Sequence, residues 1–570
     1  MRRLRKLILV AGLVALAVYL LLPRLEVSIE PGSILVLDLS GEYVEAAEPP
    51  LFSRLLAAPR RPFVSLLSEL AKAERDERLA AVVLRLRGLQ VGWGKAQELR
   101  AAIEDLANSG RRVVAYLELE TFGSNLDYFV ASAAQEVYAS PALRAPVVGL
   151  AAEYLFLGGL WELFGVELEV ERVGRYKTAA DTLAARSMSE ANREMAGALL
   201  DSLDAQFVEG IAKSRDLERD AVRAAIDAAA IDPKEMLSHG LIDEAIFFDE
   251  LVEELGGGAL VRGEQYAAVT PESVGFEPVA RFALVYGSGG VVLGDGSISP
   301  MGSLVMASDT VAEALDSAAR DPEVDAIIFR IDSPGGSALA SDVVWRAVEK
   351  AKQQDKPVIA SFSDVAASGG YYAAAGADAI VASPGSITGS IGVFALRPVL
   401  GGLYEKLGIG FESLVRGAHA DLQLSSKPLS EASRERMRAE VVSIYDLFVK
   451  RVADGRALER ERVDELGRGR VWTGAQAAER NLVDELGGLR AATQLAKREL
   501  ALDPEADVAL MVYPPPRPLA AQIGEFLRGA QLRLAPPTPQ WELLRRLEPW
   551  LRAAADGAPA ALLPFAIDAR

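Results

Sequence analysis

The chain has 570 residues, half of them hydrophobic and a quarter charged, with a formal net charge of −19 at pH 7. That length exceeds what one hydrophobic core serves and suits two or three domains, and the acidic balance without a basic face argues against nonspecific nucleic-acid binding. There is no cysteine and there are only two histidines, His239 and His419, which excludes thiol catalysis, disulfides and cysteine-ligated metal; no metal or other cofactor is expected.

At the N-terminus, Arg2, Arg3, Arg5 and Lys6 precede an apolar run from Leu7 to Leu22, closed by Pro23 and Arg24. As a helix the run is about 24 Å long, a little short of a hydrocarbon core of roughly 30 Å, a gap that snorkelling basic ends or bilayer thinning closes. The basic flank predicts a cytoplasmic N-terminus, with the rest of the chain sent outward. Ala15-Leu16-Ala17 resembles a cleavage site, yet apolar residues continue past it. The reading is an uncleaved anchor over residues 1–24 rather than a removed signal peptide.

After the anchor the chain is written twice. Strands are predicted at 25–27 and 34–39, and their counterpart at 282–286. Then follow an amphipathic helix (66–74; 311–319), a buried strand (81–86; 326–331), a turn and helix (95–106; 339–352), and a further apolar strand (113–117; 358–362). A short strand ends at Ser140-Pro141 or Ser383-Pro384, and a long one-faced helix occupies about 190–215 or 431–455. Short apolar strands alternating with helical periods predict α/β units with largely parallel sheets. Asp243 is matched by Asp484, and Ser189 by Ser430, each 241 positions on; AAQEVYASPA (133–142) is matched by AGADAIVASPG (375–385). Thr270-Pro271 and Glu277-Pro278 interrupt the pattern between copies. The expected organisation is an anchor (1–24), a first α/β repeat (25–270), a second (271–500) and a Pro-interrupted amphipathic tail (501–570). The apolar faces at 523–534 and 541–551 in that tail read either as helices docked on the body or as membrane-surface helices.

The copies differ where chemistry would sit. The second has Ser368 in Ala-Ser-Gly-Gly-Tyr-Tyr, and the first has Asn125 opposite it. The first has Lys177, and the second has Ala418 or His419 there. A serine before glycines at a strand–helix turn is either an N-cap or an exposed nucleophile beside the amide of Gly369. Gly335-Gly336, between the strand at 326–331 and the helix at 339–352, makes either a plain turn or an oxyanion hole. The first copy turns there without paired glycines, through Gly88-Leu89-Gln90-Val91-Gly92, so connection alone does not require them. Ser hydroxyl needs a base. His239 reads as a surface turn residue; His419, opposite the lysine segment of the first copy, is either outside the site or a member of it, and two histidines without a carboxylate–His spacing do not suggest a zinc site. Lys177 is either a surface lysine or that base, and as a base it must be buried and held neutral.

RIDSPGGSALAS (330–341), DVAASGGYYAAAGADAIVASPGSITGSIGV (364–393), VGRYKTAAD (173–181) and VWTGAQAAERNLVDELG (471–487) together resemble the signal peptide peptidase A family in its long, duplicated bacterial form, over about residues 1–500. The resemblance implies tandem Clp protease/crotonase-like domains and a serine endopeptidase with a Ser/Lys dyad. It implies Ser368 as nucleophile and Lys177, from the other copy, as general base. It further implies an oxyanion hole of the Gly336 and Gly369 amides, and Ser390 bonded to the lysine. The implied setting is a single-pass protein of the bacterial inner membrane, its catalytic part facing the periplasm or exterior and its protomers forming a homotetramer. The implied substrates are remnant signal peptides and other unfolded apolar peptides. Two rival readings are a noncatalytic membrane scaffold, for which Ser368→Ala would change nothing, and a crotonase-type acyl-CoA enzyme, which the outward placement disfavours.

Overall fold

The computed structural model describes residues 28–45, 61–120, 125–144, 147–230, 232–296, 303–515 and 560–562. The expected anchor, the strand at 25–27 and the tail helices lie outside the described residues. Among the described residues no helix is long and apolar enough to cross a membrane.

Two largely parallel sheets form the body, one from each half. In the first, Ser33–Val44 lies between Arg61–Pro62 and Leu79–Gln90, followed by Arg112–Leu117, Glu136–Ala139 and Glu244–Ala245. In the second, Ala326–Ser333 lies between Ala280–Ser288 and Val358–Ala367, and Ala379–Ala382 pairs with the latter. Both sheets are covered on both faces, so their strands are apolar throughout rather than alternating. Val82, Leu84 and Leu86 enter one core, while Ala81 and Val83 enter another across the sheet. In the second sheet Ala283 and Val285 separate in the same way from Phe282 and Leu284.

The duplication is visible in detail. The Asp243 amide bonds the Val137 carbonyl at 2.8 Å, and its carboxylate is held by Arg215. The Asp484 amide bonds the Ile380 carbonyl at 2.8 Å, with Arg456 as its partner. Tyr128 donates to the Leu241 carbonyl at 2.7 Å, and Tyr371 to that of Leu482 at 2.8 Å. Ser189 caps the helix Glu190–Arg215, and Ser430 caps Glu431–Arg456, each through an amide three residues on.

Two features were not predicted. Val508–Tyr513, assigned by sequence to the tail, is an edge strand of the second sheet beside Ala280–Ser288. Its apolar run is only six residues long and ends at prolines, which hid it among the breaks. A third sheet runs in the order Val305–Ala307, Gly290–Val292, Gly335–Ser337, Ala560–Leu562, Val393–Val399, Glu167–Val173. Its last two strands come from different copies and pair antiparallel, with Val173 opposite Val393. That pairing sets the site.

Candidate active site

Ser368 ends the strand Val358–Ala367 and opens the helix Gly369–Ala374. Its φ of 56° and ψ of −115° are unusual for a residue with a side chain, and the turn is pinned by its neighbours. The Ser368 amide donates to the Gly389 carbonyl, and the Ser368 carbonyl accepts from the Tyr372 amide, both at 2.8 Å. Ser390 also has positive φ, 53°, and its amide donates to the Arg470 carbonyl at 2.7 Å. Strain of this kind persists only where surroundings over-determine it.

Lys177 arrives from the first repeat. In the antiparallel pairing of Val173 with Val393, residues just past 173 run toward residues just before 393. Lys177 Nζ then stands 2.6 Å from Ser368 Oγ, 2.9 Å from Ser390 Oγ and 3.0 Å from the Ser390 carbonyl. The lysine is fully buried. Burial pushes its amine well below the ordinary lysine value, as expected of an ammonium stripped of water. A lysine so held is neutral more readily, and its lone pair can take the serine proton.

Glycines make the approach possible. A Cβ at Gly469 would fall 2.3 Å from the Lys177 amide nitrogen, and one at Gly392 would fall 2.8 Å from the Gly469 Cα. Sequence reading passed over both; Gly469 sits in an Arg-Gly-Arg turn whose only signal is the glycine itself. On the other side of the serine, a Cβ at Gly336 would lie 2.2 Å from the Val291 carbonyl oxygen. A Cβ at Gly369 would lie 3.1 Å from the Gly336 amide nitrogen. The Gly336 backbone thus lies close to Gly369, the residue after Ser368, and a side chain at Gly336 would run into backbone. The five residues singled out from sequence, Ser368, Lys177, Gly336, Gly369 and Ser390, form one cluster.

Behind the cluster lies a charge network that sequence did not disclose. Lys95 Nζ, from the first repeat, bonds Asp332 at 2.7 Å and Asp364 at 2.8 Å. Arg330 bonds Glu45 at 2.9 Å and Glu98 at 2.7 Å, all three side chains being buried. Burial alone would push the Glu45 carboxyl up, but Arg330 and Lys95 pull it down to about 2. The same carboxylates keep Lys95 charged against its own burial.

Among the described residues the first copy has no such site. Asn125 is buried, its Nδ2 donating to the Gly149 carbonyl at 2.8 Å and its Oδ1 accepting from the Val148 amide at 3.1 Å. His419, opposite Lys177 in the repeat, lies 3.4 Å from Ser433 Oγ instead. His239 is the half-buried residue that ends the helix Pro233–Ser238. Among the described residues no group of His and carboxylates could hold a metal ion.

The profile of Peptidase family S49 matches residues 106–262 and 350–503, once in each repeat. A chloroplastic serine protease SPPA of Arabidopsis thaliana is 34% identical over 494 residues, covering 85% of this chain and 71% of that protein. Protease 4 of Salmonella typhi is 28% identical over 474 residues, covering 78% and 74%. Among solved structures, a 1510-N membrane-bound stomatin-specific protease variant covers 42% of this chain and 99% of its own at 16% identity, with a TM-score of 0.27, too low to bear on the fold.

Proposed function

This chain belongs to peptidase family S49 and is a serine peptidase of the signal peptide peptidase type; on that premise we propose that it works through a Ser/Lys dyad split between its two repeats. The observation that carries the reading is the 2.6 Å approach of the solvent-stripped Lys177 amine to Ser368 Oγ. Ser368 Oγ attacks the peptide carbonyl while Lys177 Nζ takes its proton. The Gly336 and Gly369 amides receive the oxyanion, and Ser390 holds the lysine by its hydroxyl and carbonyl. Lys177 delivers the proton to the leaving amine, and water, deprotonated by the same amine, then hydrolyses the ester. A scaffold would have no use for a desolvated lysine beside a strained serine. Each chain carries one site, since Asn125 is committed to its own loop.

We extend the proposal to the setting. Residues 1–24 anchor the chain in a bacterial inner membrane with the two repeats (25–270, 271–500), Clp protease/crotonase-like domains, facing the periplasm or exterior. Substrates are remnant signal peptides and other unfolded apolar peptides. The proposed assembly is a homotetramer; association between copies is supported by exposed apolar side chains from both repeats, Leu163 and Phe164 from the first and Leu407 from the second, at the ends of helices that meet where Gly165 backs onto Gly402. The test is hydrolysis of an unfolded apolar peptide by wild type, Ser368→Ala and Lys177→Ala, with folding checked by circular dichroism. Wild type should cleave and both folded variants should not; a folded Lys177→Ala that still cleaves removes the lysine from the mechanism.

A further inference from the structure

A strap from the second repeat closes over the lysine. The Arg468 carbonyl accepts from the Tyr176 amide at 2.9 Å, the Gly469 amide donates to the Ile391 carbonyl at 2.7 Å, and the Arg470 carbonyl accepts from the Ser390 amide at 2.7 Å. Val471–Thr473 then continues antiparallel to Ile387–Gly389, with Val471 opposite Gly389, whose carbonyl holds the Ser368 amide. The segment 468–471 thus touches the residue before the base, the residue that bonds the base and the strand that holds the nucleophile. Gly469 lies directly on the Lys177 backbone, where a Cβ would fall 2.5 Å from the Lys177 Cα.

One side chain of the strap reaches back into the first repeat. Arg470 Nη1 donates to Tyr176 Oη at 3.0 Å and to Glu194 Oε1 at 2.9 Å, and Tyr176 Oη donates to the same Glu194 oxygen at 2.8 Å. The guanidinium carbon stands 4.7 Å from the ring centre of Tyr176 and 4.7 Å from that of Trp472, close enough for cation–π attraction to both. Glu194 belongs to the helix Glu190–Arg215, and the next residue, Met195, is buried and accepts the Val471 amide on its sulfur at 3.3 Å. The planar fork therefore joins the strap, the long helix and the segment that carries the base, a geometry that suits arginine rather than lysine.

Lys177 Nζ itself bonds Ser368 and Ser390. The charges around the base are paired among themselves: Arg172 with Asp181 at 2.6 Å, Arg468 with Asp464 at 2.6 Å, and Arg175 and Arg470 with Glu194 at 3.1 and 2.9 Å. Loss of water is what depresses the lysine, so whatever keeps water out governs its strength as a base.

We propose that Arg470 is a positioning residue of the dyad: bonded to Tyr176 and Glu194 of the first repeat, it clamps the strap 468–471 over Lys177, keeps water from the amine and holds the amine against Ser368. This role rests on the dyad reading above. The first repeat then supplies the lysine, and the second supplies the cover that makes it a base.

The experiment is the pH dependence of kcat/KM for an unfolded apolar peptide, with kcat and KM separated on the plateau, for wild type, Arg470→Met, Glu194→Ala and Arg480→Met, each checked by circular dichroism and thermal melting. Burial and the bond to Glu194 push the Tyr176 hydroxyl up, while Tyr176 and Arg470 hold Glu194 low, so the rising limb reports the lysine. In Arg470→Met and Glu194→Ala the strap loosens and water reaches Lys177. The limb should move toward the free lysine value by at least about one pH unit, full burial being worth about 3–5 units. On the plateau kcat should fall about ten- to a hundredfold, with KM unchanged. Glu194→Ala separates positioning from charge: losing an anion acts through space to lower the lysine value and move the limb to lower pH, whereas losing the clamp moves it to higher pH. Arg480→Met is the control. Arg480 lies over the same Trp472 ring, 4.1 Å from its centre, but bonds Gln476 and Glu479 in its own segment, and its limb should coincide with that of wild type.

If folded Arg470→Met and Glu194→Ala keep the wild-type limb, even with a lower melting temperature, the clamp is structural and the proposed role is overturned while the dyad stands. A limb that moves to lower pH in Glu194→Ala, or as far in Arg480→Met as in Arg470→Met, overturns it equally. Should Arg470→Met fail to fold, Glu194→Ala, a change at an exposed side chain, decides alone. A wild type without any rising limb removes the lysine reading itself.

Discussion

Replacing Lys95 by Met tests whether buried charge holds the two repeats in catalytic alignment. Lys95 belongs to the first repeat, is only 4% exposed, and its Nζ lies 2.7 Å from Asp332, 2.8 Å from Asp364 and 3.7 Å from Glu45. Asp332 stands four residues before Gly336, and Asp364 four residues before Ser368. One ammonium therefore ties together the two strand ends that present the oxyanion amide and the nucleophile. Methionine keeps the bulk but removes the charge, and the carboxylates are left facing one another. Breaking a buried ion pair from one side costs about 3–5 kcal/mol; with two carboxylates in direct contact the loss should sit near the top of that range. For a repeat of this size each kcal/mol lowers the melting temperature by about 2–4 °C, so a fall of about 10–20 °C is expected. A shift of the strand ends by about 1 Å would also cut kcat about a hundredfold.

The assay is thermal melting by circular dichroism at pH 7 and pH 5, with peptide hydrolysis alongside. Burial already pushes the Asp332 carboxyl up, and Lys95 opposes that push. In the variant the carboxyl rises further and the folded state binds a proton that the unfolded chain, with aspartate near 3.9, does not hold. Stability of the variant then increases as pH falls, so its deficit should be smaller at pH 5 than at pH 7. Adding Asp364→Asn should restore part of the loss by removing one of the repelling charges. A Lys95→Met protein within about 1 kcal/mol of wild type at pH 7, with kcat unchanged, would refute the reasoning.

Four further outcomes are expected. Activity should rise with pH through the depressed Lys177 value and level off on the alkaline side, since only the neutral amine accepts the serine proton; a pH–rate profile that falls above neutrality speaks against the lysine. Lys177→Met should be inactive yet more stable at neutral pH. The unfolded chain holds an ammonium that the folded site rejects, so wild-type stability rises with pH toward the free lysine value of about 10.4, and the variant should lose that slope in denaturant titrations across the range. Gly336→Ala, whose Cβ would meet the Val291 carbonyl oxygen at 2.2 Å, should displace an oxyanion donor and lower kcat by about 10²–10³ with little change in KM. Asn125→Ser should gain no activity and should not rescue Lys177→Ala, because Asn125 serves the Gly149 and Val148 backbone; peptide assays on the double variant decide this.

Much of this molecule was legible before any coordinates. Strand and helix order followed from apolar runs and periodicity, and the duplication from matched residues such as Asp243 and Asp484. The exchange of Asn125 for Ser368 and of Lys177 for Ala418 or His419 pointed to a single site made from two halves. These are properties of local sequence: a buried strand must be apolar, a helix must show one apolar face, and a lost hydroxyl is visible as a letter. What the sequence could not supply is distance. Lys177 taken alone has the sequence of a surface residue; it is buried because Glu167–Val173 pairs with Val393–Val399 across 220 to 232 positions of chain, from Val173↔Val393 to Glu167↔Val399 in register, and because Gly392 and Gly469 leave room for it. Lys95, Asp332 and Asp364 have meaning only as neighbours. Each of these depends on backbone pairing between segments far apart in the chain, where the free energy lies in the contact and leaves little trace in either segment alone.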